Sequence, residues 1–227
     1  MNDIYNNGEY ARNNPGWHDE DAQWKAEKIF ALLNKNHIFP KTVCDIGCGT
    51  GGVVLSLSKK MKRTCFLGVD VSKATIEIAK NKESRLIKFS TQKDLIKTYD
   101  LVLAIDVIEH VEDYLTFLRA IRETGKYKIF HIPLTLSILG SLRKNYYSND
   151  LHKVGHLHIF TKDFVLASLE GCGYKIIDFA YTAPGIERVS LKFMSQIGKL
   201  LRIIFQRVSP DLAPKIFGGF SLMIVAK

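Results

Sequence analysis

The sequence lacks the features that mark exported, membrane-spanning or metal-finger proteins. Its four cysteines, Cys44, Cys48, Cys65 and Cys172, form no C-x-x-C pair and have no histidine at finger-like spacing. We therefore expect reduced, buried thiols instead of a disulfide frame or a zinc site. Residues 1–17 are polar without a charged-then-apolar leader pattern, and no apolar run is long enough to cross a bilayer. These absences favour a cytoplasmic protein that is neither exported nor membrane-spanning.

Concentrated positive charge is also missing, although the chain is basic. Lysine and arginine number 32 against 23 acidic residues, a net charge of +9, but the basic residues are spread along the chain. There is no arginine-rich arm and no basic strip interleaved with aromatics, so charge alone does not predict a nucleic-acid partner, and we expect no DNA binding. A chain of 227 residues can bury a core as one domain without disulfides.

Short apolar runs alternate with helical patterns from residue 20 onward, which is typical of a parallel sheet flanked by helices. The predicted strands are rich in Val, Ile, Leu and Phe, as strands buried on both faces should be, and they cover residues 42–47, 65–70, 86–90, 100–106 and 126–133. The predicted helices have apolar residues three and four apart and cover residues 19–35, 51–61, 72–82 and 111–123.

The remainder of the chain completes this pattern. A helix capped by Thr161 and stopped by the GCG at 171–173 precedes two more strands, GYKIIDFAY and FSLMIVAK. The sequence therefore predicts an α/β fold with a seven-stranded, doubly wound, mostly parallel Rossmann-like sheet that ends in an antiparallel hairpin. We expect a single domain over residues 1–227, with an N-terminal helical lid at 1–38 and insertions at 134–160 and 186–217.

The stretch VCDIGCGTGG, residues 43–52, carries the chemistry. Gly47, Gly49 and Gly52 match the G-x-G-x-x-G pattern of loops that hold a dinucleotide pyrophosphate. Asp45, at the end of the same strand, would repel phosphate oxygens. S-adenosylmethionine has no phosphate and carries an ammonium and a sulfonium, which a carboxylate stabilises. Asp45 therefore favours that ligand, whereas an NAD-dependent dehydrogenase or epimerase is the rival interpretation.

A second acid, Asp70, follows the second predicted strand in LGVDVS. An acid there accepts hydrogen bonds from ribose hydroxyls, which both ligands possess, so Asp70 alone does not discriminate between them. Each acid also has a structural alternative. Asp45 could be the buried partner of a neighbouring turn, and Asp70 could be a helix cap.

The acidic glycine loop, the second acid and the strand order together resemble class I S-adenosylmethionine-dependent methyltransferases. VCDIGCGTG is similar to the family's first motif, GVDVS to its second, and DLVLAIDVIEHVED to its fourth. The resemblance implies that the methionine half of the ligand is lined by Asp45, Gly47, Cys48, Gly49 and Gly51. It also implies that Asp70 binds the ribose, Val71 packs on adenine, Asp106 faces the donor methyl, and Gln92, or else Asp94, makes a further polar contact. Cys48 is expected as a loop filler and not as a nucleophile.

The segment DVIEH supplies the candidate catalytic residues on the acceptor side. Asp106 ends the fourth predicted strand, Glu109 and His110 open the following segment and should rim the pocket, and GHLHIFT adds His156 as a second imidazole. The run is similar to one subgroup, ubiquinone-biosynthesis and small-RNA 2′-O-methyltransferases, in which E-x-x-E-H and a later His accompany a divalent metal. Here the first acid is Asp106, and metal-free small-molecule and sugar methyltransferases share the EH and the later His. We expect no metal.

Several side chains keep two interpretations. His110 is either a wall residue bonded to backbone or the catalytic base, and His152 and His158 are either loop residues or further partners. Trp17 and Tyr10 either fold over the site or pack against the first helix.

The basic, amphipathic stretch at 187–207 is either a substrate lid or partner face, or a peripheral contact with an anionic membrane. The expected activity is methyl transfer from S-adenosylmethionine to a hydroxyl of a small molecule, sugar or glycan precursor. The alternatives are RNA ribose 2′-O-methylation, dinucleotide chemistry and a non-catalytic cofactor-binding module. Oligomeric state carries no signal in the sequence.

Overall fold

The computed structural model describes residues 19–91, 98–183, 202–205 and 207–227. Its centre is a seven-stranded sheet in the order β3-β2-β1-β4-β5-β7-β6. The strands are β1 (Thr42–Ile46), β2 (Cys65–Val69), β3 (Ile87–Ser90), β4 (Tyr99–Ile105), β5 (Gly125–Leu134), β6 (Ile176–Thr182) and β7 (Phe220–Ala226). Strands β1 to β5 pair in parallel, and β7 is antiparallel to both β5 and β6. The predicted doubly wound sheet with an antiparallel C-terminal hairpin is confirmed.

Helices cover both faces of this sheet. They are α1 (Asp19–Lys35), α2 (Gly52–Lys60), α3 (Lys73–Lys80), α4 (Tyr114–Arg122), α5 (Ile138–Ser141), α6 (Tyr146–Val154), α7 (Lys162–Gly171) and α8 (Leu212–Phe217), with a 3₁₀ turn at Ile108–His110. Strand β5 shows how the two layers form, because alternate residues of a strand face opposite sides. Ile129 packs with α1 and α2, whereas Phe130 and Ile132 pack with α4 and α7.

The second part of the predicted N-terminal lid is a core helix. Ala26, Ile29 and Leu33 recur at helical spacing on one face of α1 and are fully or almost fully buried, packed into the same core as α2. This burial rules out a movable lid over residues 19–35. Residues 1–18, which include Tyr10 and Trp17, lie outside the described residues.

Helix starts follow the capping chemistry that the sequence predicts. Thr161 accepts a hydrogen bond from the Phe164 amide at the start of α7, as expected. Asp113 caps α4 in the same way. The helix α7 ends at Gly171, and Gly173 adopts a φ of +86°, which agrees with the predicted stop.

Two regions differ from expectation. The 134–160 insertion contains two helices that were not predicted, α5 and α6. Helix α5 is only four residues long and α6 has few apolar residues, so periodicity gave little signal. Of the 186–217 insertion, residues 202–205 and 207–208 are helical and α8 follows, while 184–201 and 206 are not described. Among the cysteines, Cys65 is exposed at the start of β2, contrary to the prediction of four buried thiols. The described ranges contain no helix that is long and apolar enough to span a membrane.

All site elements meet at one edge of the sheet. Strands β1, β2, β4 and β5 end there because they are parallel, and the register pairs Leu134 with Phe220 and Thr182 with Ser221. The start of β7 and the end of β6 therefore lie at this same carboxyl edge. In a doubly wound sheet this edge is where ligands bind.

Candidate cofactor and acceptor site

In the turn after β1, glycines let the backbone pack closely against neighbouring side chains on one side and leave space for a ligand on the other. Gly47 and Gly51 adopt φ of +75° and +83°, a region that favours glycine. A Cβ on Gly47 would come within 2.6 Å of Val107, and one on Gly51 within 2.5 Å of the Phe89 ring. A Cβ on Gly49, by contrast, would meet no heavy atom within 4 Å. The turn is thus tight on its underside and open where a ligand would lie.

Asp70 holds this turn in place. Its carboxylate accepts hydrogen bonds from the Gly49 amide at 2.9 Å and the Ser72 amide at 2.8 Å. The helix cap of α3 is Ser72, not Asp70. The two predicted acidic positions are therefore linked through the glycine turn. Val71, the expected adenine contact, is largely exposed beside it.

Asp45 is a buried acid that lacks a partner on one oxygen. Its Oδ1 is buried and makes no hydrogen bond. Burial, reinforced by the negative charge of Asp70 and opposed by Lys25, raises the pKa of Asp45 to about 8. A cationic group placed against this carboxyl would supply the missing partner and favour its ionised form. The observation fits the ammonium of S-adenosylmethionine, and it does not fit a carboxyl serving only a neighbouring turn.

Cys48 lies in the same turn, and its thiol is not activated as a nucleophile. Its side chain is buried and its Sγ donates only to the Gly49 carbonyl at 3.6 Å. Burial and the nearby Asp45 raise the pKa of the thiol far above its usual range. A thiolate nucleophile is therefore excluded, in agreement with the loop-filler role. The predicted polar contact at Gln92, and its alternative Asp94, lie outside the described residues.

Asp106 ends β4 in a network that the sequence did not predict. The residue has a φ of +54°, which is rare for a non-glycine residue and turns the chain toward the 3₁₀ turn. Its carboxylate pairs with the Lys25 ammonium at 2.6 Å and with His131 Nδ1 at 2.5 Å. His131 Nε2 in turn contacts the Thr182 hydroxyl at 2.8 Å. Four elements, α1, β4, β5 and β6, are joined by this chain of contacts.

The charge balance of this network favours an ionised Asp106. Burial acts to raise the pKa of Asp106, but the attractions of His131 and Lys25 outweigh it and bring the pKa well below its ordinary value. Burial acts to lower the pKa of Lys25, but the attractions of Asp106, Asp21 and Glu109 together outweigh it and raise the pKa. No local pattern distinguished Lys25 from the other lysines of α1, whereas His131 did carry a signal, as a polar residue at the carboxyl end of a buried strand.

Glu109, His110 and His156 come together beside this network, as the sequence predicted for the two histidines. Glu109 is fully buried and neither of its carboxyl oxygens has a hydrogen-bond partner. Burial, with the charge of Asp106, raises the pKa of Glu109 well above its ordinary value. The rings of His110 and His156 lie 5.0 Å apart between centroids.

The orientation of both imidazoles is fixed by their Nδ1 atoms. His110 Nδ1 lies 3.0 Å from the Gly155 carbonyl oxygen, and His156 Nδ1 lies 2.8 Å from an Asp150 carboxylate oxygen. These oxygens only accept, so each Nδ1 carries a proton, and in a neutral His110 the lone pair is on Nε2. Burial, then the proximity of His156, lowers the pKa of His110 to about 4, which keeps its imidazole neutral. A neutral imidazole with a defined basic nitrogen can accept a proton.

The same three side chains could also hold a divalent cation. Their ligand atoms lie within 4.8 Å of one another, and an imidazole whose other nitrogen is anchored is typical of a metal ligand. The prediction of a metal-free site stays a prediction. His158 is different, because its Nε2 bonds to the Val111 and Glu112 carbonyls, and His152 is exposed on α6.

The sheet order and the acid-bearing glycine turn define a class I S-adenosylmethionine-dependent methyltransferase. A family model described as a methyltransferase domain matches residues 17–178, which is more than half of the chain, and the chain belongs to this methyltransferase family. The predicted cofactor is therefore S-adenosylmethionine, and the dinucleotide interpretation of the glycine loop is set aside.

Curated relatives match shorter parts of the chain. An (S)-tetrahydroprotoberberine N-methyltransferase from Eschscholzia californica is 34% identical over 35% of this chain and 25% of its own length. A ubiquinone biosynthesis O-methyltransferase from Aliivibrio fischeri is 27% identical over 40% of this chain and 42% of its own. The chain thus spans less than half the length of these relatives.

A solved structure shares the fold over most of the chain. The magnesium protoporphyrin IX methyltransferase of Synechocystis PCC 6803, with bound S-adenosylhomocysteine, has a TM-score of 0.57 and 18% identity, and it covers 90% of this chain and 83% of its own. At this identity the similarity demonstrates the methyltransferase fold.

Proposed function

We propose that the protein transfers the methyl group of S-adenosylmethionine to a hydroxyl of a small molecule, a sugar or a glycan precursor, with His110 as the base. When bound, S-adenosylmethionine supplies an activated methyl group. The protein then has to align the acceptor and take up its proton. The observation that carries the proposal is the Nδ1 hydrogen bond of His110 to Gly155, which leaves the basic lone pair on Nε2.

The surrounding groups support this assignment. His110 is held neutral by burial, so it does not need to lose a proton before it acts as a base. His156 lies beside it with its own Nδ1 bound to Asp150, and it can receive a proton in a second step. Asp106 is engaged with Lys25 and His131 and therefore positions the turn that carries Glu109 and His110. A hydroxyl is a weak nucleophile until a base removes its proton, whereas a neutral amine can attack the methyl group without a base.

The test is methyl transfer from isotopically labelled S-adenosylmethionine to separate panels of phenols, sugars and amines, with the products identified by mass spectrometry. We expect a hydroxyl acceptor and a fall of about 100-fold or more in kcat for His110→Ala, with S-adenosylhomocysteine binding unchanged. The matched control is His158→Ala, because His158 lies in the same segment but bonds only to backbone carbonyls.

Two results would overturn the proposal. Products methylated only on nitrogen would remove the hydroxyl acceptor. Full turnover in His110→Ala would show that no imidazole base is needed there. If no variant or panel gives turnover while S-adenosylhomocysteine still binds, the non-catalytic module is the better interpretation.

A second candidate is methylation of an RNA ribose 2′-hydroxyl. The Glu109, His110 and His156 cluster favours it, because two anchored imidazoles and a carboxylate suit a divalent cation that would bind next to a ribose. Transfer to short RNA that requires added Mn²⁺ or Mg²⁺ and stops with a chelator would support this candidate. Transfer to a small hydroxyl compound in the presence of the chelator would favour the first proposal.

A further inference from the structure

Five aliphatic side chains are exposed together at the carboxyl edge of the sheet. Leu142 is 77% exposed and Val208 is 79% exposed, the two highest values among the large hydrophobic residues described. Ile138, Ile204 and Leu212 are also exposed. We call these five residues the edge patch. Large aliphatic groups in water are costly at about 25 cal/mol for each Å², so a cluster of them indicates a surface that is covered in use.

The three segments that carry the edge patch pack on one another. Helix α5, which holds Ile138 and leads to Leu142, contacts α8. The Phe205 ring lies 5.1 Å from the Phe217 ring, and Arg202 donates a hydrogen bond to the Phe217 carbonyl at 3.4 Å. The helical residues 202–205 therefore pack against α8, which in turn packs against α5.

Cations without acidic partners border the edge patch. Arg143 and Lys144 follow Leu142 directly, and Arg207 precedes Val208. All three are exposed, and no carboxylate lies within ion-pair distance of any of them among the described residues. The nearby acids are already engaged, since Asp211 pairs with Lys162 and Asp163 pairs with Lys215. The border is thus positively charged.

This combination identifies the chemistry of the partner. A single-stranded nucleic acid is typically held by bases that stack on aromatic side chains, whereas the most exposed residues of the patch, Leu142 and Val208, are aliphatic. A surface with aliphatic groups at its centre and lysine and arginine at its border is typical of proteins that lie on an anionic bilayer. The net charge of +9 also favours binding to an anionic surface.

We propose that the edge patch docks the protein reversibly on an anionic lipid bilayer, with Leu142 and Val208 entering the headgroup region and Arg143, Lys144 and Arg207 contacting lipid phosphates. The segments of the patch leave the sheet at the ends of β5 and β6, at the same edge as Asp45, Asp106 and His110. Docking therefore brings the site next to the membrane. An acceptor anchored in lipid would reach it from there, and this last step rests on the proposed methyl transfer.

Vesicle cosedimentation tests the docking without any methyl transfer. The full chain is mixed with phosphatidylcholine vesicles that contain or lack phosphatidylglycerol. We expect binding to the anionic vesicles, at least tenfold weaker binding to the neutral ones, and weakening by salt. Binding that is equal for both vesicle types, or absent from both, would overturn the proposal.

Two variants separate the contributions, and each has a matched control at the opposite edge. The triple change Arg143→Glu, Lys144→Glu and Arg207→Glu should reduce binding about 100-fold, since each basic residue contributes about fivefold. Its control is Lys59→Glu, Lys62→Glu and Arg63→Glu, at the end of α2 and in the turn before β2. The double change Leu142→Ser and Val208→Ser should reduce binding about tenfold. Its control is Phe39→Ser, at an exposed aromatic residue before β1.

The outcomes are decisive because all these residues are exposed and their replacement leaves the core intact. Equal losses in the test and control variants would assign the binding to general charge and overturn the docking patch. A dimer in sedimentation velocity that the double change dissolves would assign the patch to a second copy of the chain instead. Vesicle binding without methyl transfer to any hydroxyl would leave the docking standing and remove the proposed function.

Discussion

The buried ion pair between Lys25 and Asp106 sets the electrostatics of the cofactor end of the crevice. Three acids, Asp45, Asp70 and Asp106, face this region, and the positive charge of Lys25 attracts both Asp45 and Asp106. S-adenosylmethionine carries an ammonium, a sulfonium and a carboxylate. The unpaired oxygen of Asp45 suits the ammonium, and the Lys25 ammonium suits the carboxylate. Asp45 and Lys25 thus complement the two charged groups of the methionine part of S-adenosylmethionine.

Replacement of Lys25 tests this arrangement. We expect Lys25→Met to weaken binding of S-adenosylhomocysteine by about tenfold, in line with the loss of one charge-assisted contact, while 5′-methylthioadenosine, which has no amino-acid carboxylate, loses less than about threefold. Titration calorimetry with the two ligands measures the difference, and Lys25→Arg is the control that retains the charge. Equal losses for both ligands would mean that Lys25 only supports the fold.

At the scale of elements, short side-chain caps decide where helices begin. Helix α7 starts at Lys162 because Thr161 accepts from the Phe164 amide, and its Val165 and Leu169 are buried against the sheet. Helix α4 starts in the same way after Asp113. These two helices pack side by side on the face of β5 that carries Phe130 and Ile132.

Thr161→Ala should therefore destabilise the protein without changing the site. Loss of a helix N-cap costs about 1 kcal/mol, which corresponds to a fall of about 2–4 °C in Tm for a domain of this size. Differential scanning calorimetry measures the shift, and Thr161→Ser is the control that keeps the hydroxyl. A Tm unchanged in the alanine variant would show that the cap contributes nothing to stability.

Sequence patterns predicted most elements but few of the contacts between them. The strands were predicted to within a few residues because they are short, continuous apolar runs, and the long helices because their apolar residues follow a period of 3.6. Helices α5 and α6 were missed, since both are short and α6 has few apolar residues. The glycine turn, Asp70 and the pairing of His110 with His156 were predicted from motifs. The partners of Asp106, Lys25 and His131, were not predicted, because both are distant from Asp106 in sequence and nothing local marks Lys25.

At the scale of the whole molecule, buried acids make stability depend on pH. Asp45 has a pKa of about 8 in the folded protein and an ordinary value near 4 when unfolded. The folded state then binds a proton that the unfolded state releases, so this group lowers the free energy of unfolding as pH rises from about 4 to about 8. The depressed pKa of Asp100 acts oppositely, and its contribution is lost only in acid.

We therefore expect the Tm of the unligated protein to fall by a few degrees between pH 6.5 and pH 8.5, and this fall to be reduced in Asp45→Asn, which has no proton to lose. The gain in Tm from S-adenosylhomocysteine should grow over the same window, because its ammonium binds best to an ionised Asp45. Thermal scans across the pH range measure both effects. The same slope in Asp45→Asn and in the parent protein would assign the pH dependence to other groups.

The position of β7 has a consequence for synthesis on the ribosome. This strand lies between β5 and β6 in the sheet although it follows both in the chain. While the chain is still emerging, strands β1 to β5 can pair in order, but β6 has no neighbour until residues 220–226 appear. The nascent protein must therefore carry an unpaired β5 edge while residues 135–219 are made, and β7 then inserts between two strands that are already synthesised.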